Sequence, residues 1–315
     1  MIRPSVAALI LALAACAGPH GHHHEGAPHH AAMGHHGHEH EACEACQTNA
    51  GHHLPALSPR EVDRRYRFRL ETDPAAPRAG EEIRITVRIE TADGRPATGL
   101  QVHHERLVHF LVVSENLEEF HHLHPEDFGL LTEEARAQAR FTFPVTLRWG
   151  GRYVIAVDAV DRGQALHKEL ELSVEGPPQP PTRWDLSRTR SVDGLTCVLH
   201  TMPDRIEARN RVEANIEIEA GGAPVTDLEP YLGVLAHLAI FRENASGSAH
   251  THGGGPEFAH QHFHKPTPGY RGPKLYWGHV FKAPGRYRIF AQFRRGGRVY
   301  TVPFDVEVHA PHEGR

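Results

Sequence analysis

The chain has 315 residues, of which 39% are hydrophobic and 23% charged, enough for ordinary soluble cores in about two domains. A formal net charge of −5 and a pI near 6.6 leave no basic footprint for nucleic acid. Histidine is the outlier, with 29 residues beside 4 Cys and 3 Met. Imidazole is the commonest metal ligand and the side chain that titrates near neutral pH, so the surplus points first to metal chemistry.

Residues 1–15 carry Arg3 and then an apolar run from Val6 to Ala15, the pattern of a signal peptide, too short for a permanent membrane helix. The run ends in Leu13-Ala14-Ala15-Cys16, which resembles the bacterial lipobox at all four positions. The resemblance implies cleavage before Cys16, lipidation of its thiol, and a membrane-anchored protein of the bacterial cell envelope. Residues 16–58 are rich in Gly, Ala, Pro and His, with twelve histidines from His20 to His53. Such a composition predicts a disordered tether, and clusters such as His22-His23-His24 predict loose metal binding. Within it, Cys43 and Cys46 form a C-x-x-C pair, open to either a disulfide or metal ligation. Cys197 lies in an apolar strand pattern and is expected to be an inert buried thiol.

Residues 59–176 and 185–310 each read as a β-sandwich. Alternation is clear in Ile83-Ile85-Val87-Ile89 and again in Val212-Ala214-Ile216-Ile218, the period of half-buried strands. Turns such as Ala92-Asp93-Gly94, Asp161-Arg162-Gly163 and Ala220-Gly221-Gly222 separate the strands. The expected fold class is therefore all-β, two tandem immunoglobulin-like β-sandwich domains after the tether. Residues 177–184 contain Pro177-Pro178-Gln179-Pro180-Pro181, a semi-rigid spacer across which few contacts are expected.

The halves share one stretch. His109, Glu115, Asn116, His122 and His124 in the first fall on His237, Glu243, Asn244, His250 and His252 in the second, both as H-x12-H-x-H. Residues two apart in a strand share a face, so His122 with His124, and His250 with His252, are paired ligands. His109 and His237, from a neighbouring strand, would complete three-histidine sets. His260, His262 and His264 offer another chelate on an insertion, and His103, His104, His121, His167 and His279 are further candidate ligands. Three imidazoles suit Cu(II) or Zn(II). The competing reading makes His109 and His237 hydrogen-bonded core residues.

Gly151-Arg152-Tyr153 matches Gly285-Arg286-Tyr287, and the second His-bearing strand is approached through Leu228-Glu229-Pro230-Tyr231-Leu232-Gly233. With the histidine-bearing central strand, these residues resemble bacterial exported immunoglobulin-fold modules of the YtkA-like kind, and more distantly the CopC-type copper-resistance proteins. The resemblance implies metal handling in the envelope, with envelope metal-transport proteins as partners, without implying a reaction. CopC-type sites commonly use the N-terminal amine beside a histidine brace; here the first mature residue would be the lipidated Cys16.

No catalytic signature accompanies these residues: there is no Gly-x-Ser-x-Gly, P-loop or dinucleotide fingerprint. Asp158, Asp161 and Glu169 read as solvated strand-end charges. The expectation is a non-enzymatic metal chaperone, buffer or sensor. The alternative is a tandem-sandwich adhesion or assembly module whose histidines are structural.

Overall fold

The computed structural model describes residues 54–243, 258–263 and 266–312. The expected signal segment and most of the expected tether, with Cys16, Cys43 and Cys46, and His250, His252 and His264 lie outside the described residues. Helix α1 (Pro59–Arg65) opens the first sandwich, started by a capping box in which Ser58 and Glu61 bond reciprocally. Strands β1 (Tyr66–Asp73), β2 (Glu82–Thr91), β3 (Leu100–Gln101), β4 (Val108–Ser114), β5 (Phe120–Leu123), β6 (Arg140–Thr146), β7 (Gly151–Asp161) and β8 (Gln164–Val174) follow. A 3₁₀ turn (Pro125–Phe128) and α2 (Glu133–Ala137) fall between β5 and β6. One sheet is β1-β2-β6. The other runs β3-β7-β4-β5, with β8 also on β7.

The second sandwich repeats this plan. It comprises β9 (Thr189–Val192), β10 (Leu195–Met202), β11 (Ile206–Glu207), β12 (Arg211–Ala220), β13 (Ala223–Pro224), β14 (Ala236–Arg242), β15 (Phe258–His262), β16 (Lys274–Val280), β17 (Gly285–Arg295) and β18 (Arg298–His309). Its sheets are β13-β12-β10-β9, with β16 on β12, and β11-β18-β17-β14-β15. The fold is two tandem immunoglobulin-like β-sandwiches, as the strand pattern predicts.

Each sandwich has its own core. Ile83, Ile85, Val87 and Ile89 pack with Phe110, Val112, Phe141 and Phe143 in the first. Val212, Ile216 and Ile218 pack with Leu238, Ile240, Trp277 and Phe304 in the second. Cys197 belongs to that second core, fully buried, and burial pushes its thiol up to about 12, as expected of an inert residue.

The Gly-Arg-Tyr pairs are corner devices. Tyr287 donates its hydroxyl to the carbonyl of Ala283 at 2.7 Å. The Tyr153 hydroxyl lies between the Trp149 carbonyl, at 3.1 Å, and Glu119 Oε2, at 2.8 Å. A tyrosine that bonds back to the chain a few residues upstream is a mark of immunoglobulin-like sandwiches. Gly151 and Gly285 precede these corners at φ of +113° and +145°, where a side chain would be strained.

The expectation of few contacts across the Pro-rich segment is overturned. In β4 every residue is buried, because both faces of the strand are covered. Phe110 and Val112 point into the first core, while Leu111 and Val113 join a third cluster with Leu117, Ala156, Ala239, Phe241 and Phe290. That cluster draws on both sandwiches. Phe120 stacks on Phe290 with ring centres 4.4 Å apart. At one margin Arg288 reaches Asp305, Glu118 and the carbonyl of Leu117. The connecting segment docks rather than spans, with Asn116 bonded to Gln179 and to the Pro180 carbonyl. Proline density fixes the conformation of a segment but says nothing about the faces it joins.

Candidate metal centre

The face that β4, β5 and β7 turn away from the first core meets the equivalent face of β14, β15 and β17. Alternation along each strand decides what arrives there. On β4 it delivers His109, Leu111 and Val113; on β14 it delivers His237, Ala239 and Phe241. An apolar cluster occupies one part of this interface, and the histidines gather beside it.

In the first sandwich three ring nitrogens converge. His109 Nδ1 lies 3.1 Å from His122 Nε2 and 3.0 Å from His124 Nε2, and the last two are 3.0 Å apart. The outward nitrogen of each ring faces an oxygen. His109 Nε2 donates to the carbonyl of His103 at 3.1 Å. His122 Nδ1 donates to Gln292 Oε1 at 3.0 Å, and Gln292 is itself bonded to Thr301. His124 Nδ1 donates to Asp127 Oδ2 at 2.7 Å. Since a neutral imidazole carries one N–H, all three inward nitrogens are bare lone pairs facing one another.

Such an arrangement is repulsive unless a cation lies among the three. Protonation is the poor solution. Burial, then the charge of neighbouring histidines, holds His109 and His122 well below the ordinary histidine range, and burial lowers His124 despite Asp127. A metal ion suits the spacing. Ligands about 2.0–2.1 Å from one ion stand about 2.9 Å apart at right angles and about 3.4 Å apart at tetrahedral angles. Outer N–H groups bonded to oxygens are also the usual support of metal-ligating imidazoles.

The second sandwich supplies a related set. His237 Nε2 donates to the carbonyl of Tyr231, 3.1 Å away and six residues upstream, as His109 does to His103. His260 Nδ1 donates to Asp158 Oδ2 at 2.7 Å. The bare His237 Nδ1 and His260 Nε2 are therefore left 3.2 Å apart. His262 places a buried Nε2 beside them with no hydrogen-bond partner. Nitrogens of His237, His260 and His262 lie within 4.8 Å of one another, as do those of His109, His122 and His260.

Strand register corrects the expected correspondence. His122 stands opposite Leu111, two residues beyond His109. His260 stands opposite Ala239, two residues beyond His237. The counterparts of His122 and His124 are thus His260 and His262, not His250 and His252. The second copy carries ten more residues between β14 and β15, and the ungapped H-x12-H-x-H match slides over them. Nor do the two histidine sets lie apart in separate domains: ring centres of His109 and His122 lie 5.0 and 5.1 Å from that of His260.

The other candidates divide. The ring of His104 lies against that of His262, centres 3.5 Å apart and tilted by 38°, and His103 lies beside both. His121 bonds Glu119. His279 packs against Phe281 and bonds Gln261, and burial lowers it to about 4. His167 binds the second oxygen of Asp158 at 3.0 Å.

Three acidic residues differ from the expectation of solvated charges. Asp158 is 8% exposed; burial opposes its ionisation, but His167 and His260 hold it well below the usual carboxylate range. Asp161 is buried and accepts the hydroxyl of Tyr66. Burial raises Glu169 to about 7. Asp158, Asp127 and Gln292 are the supporting residues that ligand spacing alone misses. A signal was available: Asp158 and Gln292 each interrupt an apolar strand seven residues after the matching glycines Gly151 and Gly285.

Among the described residues no helix is long and apolar enough to cross a membrane. No curated protein matches the chain. Solved structures overlap it loosely. The adhesin FdeC of Escherichia coli is 11% identical with a TM-score of 0.20, over 77% of this chain and 64% of that one. The Yersinia pseudotuberculosis adhesin InvE is 11% identical with a TM-score of 0.23, over 77% of this chain and 60% of that one. A chimeric titin Z1Z2 tandem is 15% identical with a TM-score of 0.21, over 78% of this chain and all of that one. The chain thus spans less than two thirds of either adhesin structure, and the fold assignment rests on the strand pairings above. At the level of sequence family, residues 60–176 and 190–310 each match the domain of unknown function DUF8832, and the chain belongs to that family, carrying its domain twice.

Proposed function

We propose that this protein binds a transition-metal ion, Cu(II) or Zn(II), in the buried centre between its two sandwiches. The observation that carries the reading is the triangle of His109 Nδ1, His122 Nε2 and His124 Nε2, three bare nitrogens 3.0–3.1 Å apart. Nitrogen-only donors favour Cu(II) over Zn(II) by intrinsic affinity, while tetrahedral geometry suits Zn(II). The ion would sit under an interdomain face, a position suited to a buffer or sensor whose exchange requires the sandwiches to part. With the lipobox at Leu13–Cys16 this becomes an envelope lipoprotein, which Cys16→Ser should release from membranes.

The test is retention. The full chain, loaded with Cu(II) or Zn(II) and washed with a moderate chelator to strip the tether, should keep metal that the His109→Ala/His124→Ala variant loses. Equal retention by the two proteins would remove the proposal. A second reading, an adhesion or assembly module with structural histidines, draws on the tandem-sandwich architecture and predicts that equality.

A further inference from the structure

We infer that the interface holds a second ion position, on His237, His260 and His262, inequivalent to the first. This rests on the reading that the first triad binds metal. His237 and His260 present bare nitrogens to each other at 3.2 Å, for the reasons of tautomer given above. The buried Nε2 of His262, which has no hydrogen-bond partner, is an independent sign that this end of the cluster is shaped to receive a ligand. Because His260 Nδ1 carries the N–H that donates to Asp158, its one free nitrogen can ligate one ion only.

The two positions differ in their supports. Around the first, His122 leans on the neutral amide of Gln292, and His124 on an Asp127 carboxylate that is 37% exposed and also held by Arg106. Around the second, His260 leans on the buried carboxylate of Asp158, and the ring of His104, from the opposite sandwich, lies 3.5 Å from that of His262 at a tilt of 38°. The anion behind the second position is buried, so water and a fixed cation weaken it less than they weaken Asp127, and its ligand is the stronger donor. That position should therefore fill first and release last.

The experiment uses the full chain loaded with Cu(II) and washed as above. Retained copper is compared among the unchanged protein, His124→Ala, His262→Ala and the double variant. The double variant's retention serves as the baseline. The expected result is two equivalents above that baseline in the unchanged protein and one in each single variant, His124→Ala holding its ion more tightly. The paramagnetic resonance of the unchanged protein should also show a half-field line from two neighbouring Cu(II) ions, a measurement independent of how the variants fold. One equivalent above baseline, lost in either single variant, with no half-field line, would overturn the second position and leave the proposed function standing. No equivalents above baseline would overturn both.

Discussion

His260 of the second sandwich donates its Nδ1 proton to Asp158 of the first across 2.7 Å. The reciprocal contact runs the other way, from His122 of the first sandwich to Gln292 of the second. Asp158 stands opposite His109 in the β4–β7 register, and Gln292 opposite His237 in the β14–β17 register. Equivalent positions thus exchange equivalent bonds, the self-complementary pattern of two like faces meeting about a two-fold axis. The duplication supplied both halves of the centre, and the Asp/Gln difference made them unequal.

Asp158→Asn should keep the fold and weaken metal binding at the His260 side by about 10–100-fold, the usual effect of changing a ligand's support. Competition with a chelator of known affinity would measure it. Gln292→Glu, which adds a carboxylate at the matching position, should strengthen binding on the His122 side. Unchanged affinity in both variants would show that these bonds only hold the sandwiches together.

Arg288 is the polar clamp of the interface. It is 5% exposed and meets Asp305, Glu118 and the Leu117 carbonyl, so its removal leaves a buried Asp305 carboxylate unpaired. Arg288→Ala should cost about 3–5 kcal/mol in urea unfolding. A loss under about 1 kcal/mol would mean that water enters this margin and the clamp is already solvated.

Acid should destabilise the metal-free protein. Burial holds His109, His122 and His237 neutral in the folded state, and lowers His124 and His262 as well. Below about pH 6.5 the unfolded chain binds protons that the folded one does not. Stability is therefore full above that pH and falls as pH drops, by about 1.4 kcal/mol per pH unit for each such proton. His167, which Asp158 raises against its burial, and Glu169, which burial raises to about 7, act in the opposite sense, two groups against those five lowered histidines. The urea midpoint should fall clearly between pH 7.5 and 5.5, and a flat profile would show that water reaches the cluster.

Much of this was legible in the sequence. Period-2 alternation in Ile83–Ile89 and Val212–Ile218 shows a half-buried strand, and Gly-Arg-Tyr marks the same corner twice. The run Val108–Val113, apolar but for His109, carried the further message that this strand is covered on both faces, and His109 sat at one of its outward positions. What covered that face was not legible, because the partner lies more than a hundred residues away and alternation does not name it. The His122 counterpart was hidden for a different reason. Loops accept insertions while strand register does not, so ungapped spacing found His250 where pairing across β14 finds His260.

The same covered face makes the halves interdependent. Residues 182–310 alone should form their own core, built around Trp277, Ile216 and Phe304, but would expose Phe241, Phe258 and Phe290 together. A contiguous apolar patch of that kind drives association. Because the two faces are related by duplication, a second copy of the fragment is a ready substitute for the missing sandwich. The isolated fragment should therefore sediment as a dimer or larger species, and co-expression with residues 54–181 should convert it to a one-to-one complex. Phe241→Ser with Phe290→Ser should make the fragment monomeric without loss of its β-sheet spectrum. A monomeric unmodified fragment that ignores residues 54–181 would show that the aromatic face contributes little and that the connecting segment alone holds the sandwiches in place.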